Sequence, residues 1–116
     1  MRIVFALAAL FVFAGNAFAE DAAHGKQVFT DLKCLVCHSV GGEGNKKGAA
    51  LDDVGAKLTA EDIRHWVTNA PEMAAKANID RKPPMKAYTD FSKEQVDALV
   101  AYLVTLKNTD PVTPKK

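Results

Sequence analysis

The sequence predicts an all-α fold in which an N-terminal and a C-terminal helix cross, with loops between them. Three apolar stripes predict its helices, because each repeats at the i, i+3, i+4, i+7 spacing of a buried helix face. The stripes are Gly25, Val28, Phe29 and Leu32; Ile63, Trp66, Val67 and Ala70; and Val96, Leu99, Val100, Leu103 and Leu106. Two intervening stretches, 39–58 and 71–90, have little such periodicity and are predicted to be irregular.

Residues 1–19 have the pattern of a secretory signal peptide. Arg2 provides the positive start, an apolar run extends from Ile3 to Val12, and Ala17-Phe18-Ala19 is a small-residue cleavage site. A membrane anchor is the alternative, but the run is shorter than the ~20 residues needed to cross a bilayer. We therefore expect a soluble, exported, periplasmic protein with one domain at 20–116 and a flexible tail at 108–116.

Loss of the signal would leave 97 of the 116 residues, enough for one small domain. Arg2 would leave with it, so 14 basic side chains would face 14 acidic ones. This balance lacks the basic excess of a nucleic-acid-binding surface. We expect no nucleic-acid partner.

The first helix is predicted over 21–33, with Asp21 as its N-cap. Gly25 lies on its apolar face, although glycine lowers helix propensity. A glycine is useful at this position if another helix must pass close to the backbone.

The run Cys34-Leu35-Val36-Cys37-His38 follows this helix and matches C-x-x-C-H, the pattern of covalent c-type haem attachment. Cysteines three positions apart on a helical turn point to one side, so both thiols can form thioethers with one porphyrin. The adjacent His38 imidazole is a strong iron ligand. The sequence thus predicts one covalent haem c.

Three other uses of C-x-x-C are weighed against haem. A thioredoxin-like pair normally follows a strand, whereas a predicted helix precedes Cys34. A structural zinc site needs four ligands, and beyond this motif the chain offers only His24 and His65. A plain disulfide or thiol redox pair remains the principal alternative.

The second helix is predicted to begin at Thr59, with acidic residues in its first turn, and to end near Asn69 because Pro71 cannot continue it. Trp66 is predicted to be a core residue. Its indole N–H is also a candidate donor to a haem propionate. His65 falls off the apolar stripe and is not expected to be a ligand.

The sixth iron ligand is predicted within the irregular stretch 71–90. Pro83 and Pro84 restrict the chain before Met85, which suits a thioether sulfur held against iron without a helix or strand behind it. Met73 has less local constraint and is the second candidate, and either methionine could instead fill a gap in the core.

The last helix begins with Ser92-Lys93-Glu94-Gln95, which fits a capping box. Its apolar stripe is the longest in the exported part of the chain. We expect this helix to cross the first one at Gly25 and Phe29.

Taken together, these motifs resemble the class I c-type cytochromes over essentially the whole exported domain. The resemblance rests on the C-x-x-C-H run, on Met85 in a P-M-x-x-Y stretch, on Gly25 and Phe29 in G-x-x-x-F, and on Tyr102-Leu103 in the last helix. It implies an all-α cytochrome c fold wrapped around one haem c, with histidine and methionine as axial ligands. It also implies electron carriage without substrate turnover.

The chain departs from the family pattern at two places. Many members have G-P-x-L after the haem motif, and the proline carbonyl accepts the imidazole proton of the haem-ligating histidine. Here Gly48-Ala49-Ala50-Leu51 occupies that position, and the Ala49 carbonyl can still accept from His38. Lys86 also replaces a second proline after Met85.

A chain with one haem c can have one of three functions. The first is a monomeric carrier, not an enzyme, that meets redox proteins weakly and briefly at an exposed haem edge, where lysines can steer acidic partners. The second is a dedicated haem subunit of an exported dehydrogenase or oxidoreductase complex. The third, a gas binder or peroxidase, needs an open sixth position, which Pro83-Pro84-Met85 disfavours.

Overall fold

The computed structural model describes residues 16–107. In chain order the elements are α1 (Asn16–Asp31), a 3₁₀ turn (Cys34–Val36), β1 (Ser39–Val40), β2 (Glu43–Gly44), α2 (Val54–Lys57), α3 (Ala60–Thr68), α4 (Ala70–Lys76) and α5 (Lys93–Leu103). The two strands form one short antiparallel hairpin. The predicted all-α fold is confirmed.

Two sequence predictions fall partly or wholly beyond this range. The apolar run of the predicted signal peptide and the predicted tail at 108–116 lie outside the described residues. Across residues 16–107, no helix has the length and apolar character required to cross a membrane.

α1 and α5 cross at Gly25, as predicted. A methyl group at Gly25 would overlap the backbone carbonyl of Ala98 and would lie 2.7 Å from Cβ of Tyr102. One turn further along, the Phe29 and Tyr102 rings meet edge to face with centroids 5.5 Å apart. The two helices therefore approach with only a hydrogen atom of Gly25 between their backbones.

The apolar core lies where α1, α3 and α5 meet. It is formed by Val28, Phe29, Ile63, Val67, Val96, Leu99, Val100 and Leu103, all buried. These residues come from the three predicted stripes, so the helical periodicity identified the core. Trp66 is the exception, because it is only half-buried and lies outside this buried cluster. The prediction of a core tryptophan is wrong.

Capping boxes begin α3 and α5. Thr59 Oγ1 accepts from the Asp62 amide at 3.1 Å, and Ser92 Oγ accepts from the Gln95 amide at 3.1 Å. The Gln95 side chain returns a bond from the Ser92 amide at 3.0 Å. Both predicted helix starts are confirmed, and α3 ends at its C-cap Asn69.

The irregular regions contain more helix than the sequence indicated. Residues 70–76 form α4, with Pro71 in its first turn, where the missing N–H of proline costs no hydrogen bond. Residues 54–57 form α2, and the β1–β2 hairpin lies in the same stretch that was predicted to be a loop. Pro71 thus starts a helix as well as ending the previous one.

The bounds of α1 also differ from the prediction. The chain is already helical at Asn16, the first described residue, so Asp21 lies inside α1 and is not an N-cap. The Ala-rich residues around the predicted cleavage site have high helix propensity and continue the helix in the full chain. At the other end α1 stops at Asp31, and Lys33 takes the left-handed conformation with φ 57°.

We expect Gly25→Ala to lower the free energy of unfolding by about 1–3 kcal/mol, because the added methyl forces α1 and α5 apart. Lys26→Ala, at the exposed neighbouring position, is the control and should change stability by less than about 0.5 kcal/mol. Urea unfolding followed by circular dichroism measures both. Equal stability of Gly25→Ala and the parent chain would contradict the close crossing.

Candidate functional site

The C-x-x-C-H motif leaves α1 through the left-handed Lys33 and forms a tight turn. The Cys37 amide donates to the Cys34 carbonyl at 3.2 Å, and the His38 amide donates to the same carbonyl at 2.9 Å. In a 3₁₀ turn, side chains three positions apart lie on one side. Cys34 and Cys37 are therefore arranged to attach at two points to a single flat group.

Both cysteines are half-buried free thiols. Burial raises the pKa of the Cys34 thiol to about 11, and the neighbouring Cys37 adds to the rise. Thiol–disulfide exchange enzymes instead lower the pKa of their attacking cysteine. The environment of Cys34 is thus unlike that of a thioredoxin-like pair, and α1 precedes it where such a pair follows a strand.

The part of the chain that the structure describes does not form a zinc site either. Within the described residues, no group of three or more His, Cys, Asp or Glu side chains is placed to hold a metal ion. Cys34 packs beside the apolar core, as do Leu32 and Leu35. The surroundings fit an apolar cofactor joined through carbon–sulfur bonds.

The His38 ring has a defined tautomer. Its Nδ1 lies 2.7 Å from the carbonyl oxygen of Ala49. A carbonyl can only accept, so Nδ1 carries the proton and donates it. In the neutral ring the lone pair is therefore on Nε2, and an imidazole binds a metal ion through such a lone pair.

Residues 44–51 wrap around the motif. The Asn45 amide donates to the carbonyls of both Leu35 and His38 at 3.0 Å, and the Gly48 amide donates to Cys37 at 2.6 Å. The Leu51 amide donates to Ser39 at 2.9 Å. We call residues 44–51 the clamp loop. The sequence indicated the role of Ala49 in this loop but not the roles of Gly44, Asn45 and Gly48. The glycines that follow the motif could have indicated that the chain folds back closely here.

Met85 lies half-buried in an irregular segment that is tied to α3 and to the clamp loop. The Tyr88 amide donates to the Val67 carbonyl of α3 at 2.9 Å, and Arg81 Nη1 reaches the Lys47 carbonyl of the clamp loop at 3.4 Å. Burial raises the pKa of Tyr88, with smaller contributions from Cys34 and Cys37. Tyr88, three residues after Met85, packs beside the apolar core, as Cys34 does.

Met73 is placed differently. It lies half-buried on α4, whose main contacts are with α3, and its backbone is held by helix hydrogen bonds to Asn69 and Ala77. Trp66 is half-buried on α3, next to Val67. The structure thus ties the Met85 segment, rather than α4, to the clamp loop.

Comparison with known proteins assigns the family. Residues 22–107, about three quarters of the chain, match the family described as Cytochrome c. The chain is 34% identical over 94 residues to a cytochrome c oxidase subunit 2 of Alkalihalophilus pseudofirmus, covering 74% of this chain and 26% of that protein. It is 48% identical over 52 residues to a cytochrome c2 of Blastochloris viridis, covering 44% of this chain and 39% of that protein.

The chain thus spans about a quarter of the first relative and about two fifths of the second. No solved structure matches. The family match over most of the chain, the helical fold and the C-x-x-C-H turn agree with one another, and they imply one covalently bound haem c. The chain belongs to the cytochrome c family as a class I c-type cytochrome.

Proposed function

We propose that this protein is a one-electron carrier in which Cys34 and Cys37 hold haem c and in which His38 and Met85 are the axial ligands of its iron. The observation that carries the proposal is the 2.7 Å contact between His38 Nδ1 and the Ala49 carbonyl. In the neutral imidazole this contact leaves the lone pair on Nε2, the nitrogen that can bind iron, and His38 directly follows the turn that carries the two cysteines.

The cysteines and the histidine of the motif fit a covalently attached haem. Each thiol can add its S–H across one vinyl double bond of the porphyrin, giving two thioethers and no by-product. Bound haem supplies a reversible one-electron change between ferrous and ferric iron. The protein's part is to fix the ligands, to surround the ring with apolar side chains and to exclude water from the iron.

Met85 is the better sixth ligand of the two methionines. Its segment is connected to the clamp loop through Arg81 and to α3 through Tyr88. Methionine sulfur is a soft donor that favours the reduced state and raises the reduction potential. With both axial positions filled by side chains, the protein has no place for a substrate on the metal, which suits a carrier rather than an enzyme.

Partners of such a carrier are redox proteins that bind briefly at the exposed edge of the haem. An interface at the small end of the range, below about 1,200 Å², would allow rapid release. Exposed basic side chains lie on the clamp loop and on the Met85 segment and can steer acidic partners; they are Lys46, Lys47, Arg81, Lys82 and Lys86. We propose a monomer, with no nucleic-acid partner and no membrane span after cleavage at Ala19.

A periplasmic location follows from the proposed signal peptide at 1–19, with the working domain at 20–116. Attachment of haem requires free thiols, and Cys34 and Cys37 are free. The motif is consistent with an exported protein. The likeness to a cytochrome c2 agrees with an exported carrier.

A second candidate is a haem subunit of a larger oxidoreductase complex. The likeness to a cytochrome c oxidase subunit 2 favours it, because the aligned part covers 74% of this chain but only 26% of that protein. A domain of this size can therefore serve within a larger chain. Trp66, half-buried on α3, stays our candidate donor to a haem propionate in either case.

We expect Met85→Ala to abolish the weak absorption band that marks methionine bound to ferric iron, and Met73→Ala to retain it. Met85 is the only one of the two whose segment is joined to the clamp loop by the contacts described. Visible spectra of the oxidised variants measure the band. Survival of the band in Met85→Ala with its loss in Met73→Ala would reverse the assignment.

We expect the Cys34→Ala/Cys37→Ala double variant to lose covalent haem and to unfold without a cooperative transition. A chain this small buries a limited core, and the haem would supply part of the missing apolar interior. Val36→Ala is the control, since Val36 is 56% exposed in the same turn. A cooperative thermal melt of the double variant like that of the parent chain, followed by circular dichroism, would refute the dependence on haem.

We expect the protein from its native source to elute as a free monomer in gel filtration, because a carrier binds its partners transiently. Haem absorbance locates it in the eluate. Co-elution with a large catalytic chain that persists at high ionic strength would favour the subunit role instead.

A further inference from the structure

The backbone of Gly48 lies against the His38 ring. A methyl group at position 48 would lie 2.9 Å from Cε1 and 3.0 Å from Nδ1 of His38, and 3.2 Å from the Cys37 carbonyl oxygen. These distances are shorter than an ordinary contact between carbon atoms. Any residue other than glycine would have to displace the ring or the loop.

Conformation alone does not require this glycine. Gly41, Gly42 and Gly44 have positive φ values, whereas Gly48 does not. A left-handed backbone is therefore not the reason for glycine at residue 48. The space beside the imidazole is what excludes a side chain there.

The clamp loop is fixed on both sides of the ring's hydrogen-bond acceptor. The Gly48 amide donates to the Cys37 carbonyl at 2.6 Å, and the Leu51 amide donates to the Ser39 carbonyl at 2.9 Å. Between these two anchors lies the Ala49 carbonyl that accepts from Nδ1 of His38. Ala49 has no ring to restrict its own backbone, so its carbonyl is held in place by its neighbours.

We propose that Gly48 is a positioning residue that sets the plane of the His38 imidazole. The Gly48 backbone comes close to the ring at Cε1 and Nδ1, and the Ala49 carbonyl accepts from Nδ1–H, so together they restrict rotation of the ring about Cβ–Cγ. Contacts of this kind, one shell beyond the metal, orient a ligating histidine and tune the metal it binds. This inference rests on the proposed role of His38 as an iron ligand.

The test is Gly48→Ala in the haem-loaded protein. In the oxidised state, the NMR shifts of the haem methyl groups depend on the plane of the axial imidazole. We expect their order or spread to change and the reduction potential to shift, while the visible spectrum keeps histidine–methionine ligation. Methyl shifts and a potential that both equal those of the parent chain would overturn the inference.

Gly55→Ala is the matched control. A methyl at Gly55 would overlap the Val104 carbonyl and would lie 2.9 Å from the Leu103 carbonyl oxygen, far along the chain from His38. This variant should unfold at lower denaturant concentration and keep the methyl shifts of the parent chain. If it altered those shifts as much as Gly48→Ala, general loosening would explain the effect and the inference would fail.

A measurement on the parent chain covers the case in which Gly48→Ala does not fold. The clamp predicts that one opening event releases both the His38 Nδ1 proton and the Gly48 amide proton, so both should exchange slowly and at similar rates in the reduced protein. Nδ1 exchange that is much faster than Gly48 exchange overturns the inference. A parent chain whose spectrum lacks histidine ligation would instead refute the proposed function, and the inference with it.

Discussion

The close approach of α1 to α5 at Gly25 is the constraint on which the rest of the site depends. Because Gly25 has no side chain, the α1 backbone reaches the Ala98 carbonyl and Phe29 packs on Tyr102. This crossing fixes the end of α1 against the core, and Lys33 then turns the chain so that Cys34 packs beside the same core. The packing of α1 on α5 thus helps to position the haem motif.

The chemistry of the motif depends on a segment that has no regular structure. The Ala49 carbonyl accepts from His38 Nδ1 and so selects the tautomer of the ring. Backbone hydrogen bonds to Leu35, Cys37 and Ser39 hold the clamp loop in place. Backbone donors and acceptors are available whatever the side chains are. This explains how alanine can stand where many family members have proline, provided that the neighbouring bonds hold the carbonyl.

The sequence was sufficient for the parts of the fold that depend on periodicity and capping. The stripes identified the core, Ser92 and Thr59 marked helix starts, and Gly25 marked the crossing. The sequence was not sufficient to predict features that depend on contacts between distant parts of the chain. Pro71 was interpreted as a helix end, although it also suits a first turn, and the exposure of Trp66 depends on what packs beside α3. The closeness of Gly48 to the His38 ring cannot be obtained from spacing, because it depends on how the loop folds back.

In the proposed carrier, His38 and Met85 together hold the iron of one haem. The most direct measurement is NMR of the reduced parent chain with isotope-labelled methionine methyl groups. The porphyrin ring current shifts the methyl of an axial methionine strongly upfield. If Met85 is the ligand, we expect one such signal, with contacts that place it between Pro84 and Lys86. An upfield signal that belongs to Met73, or the absence of any such signal, would contradict it.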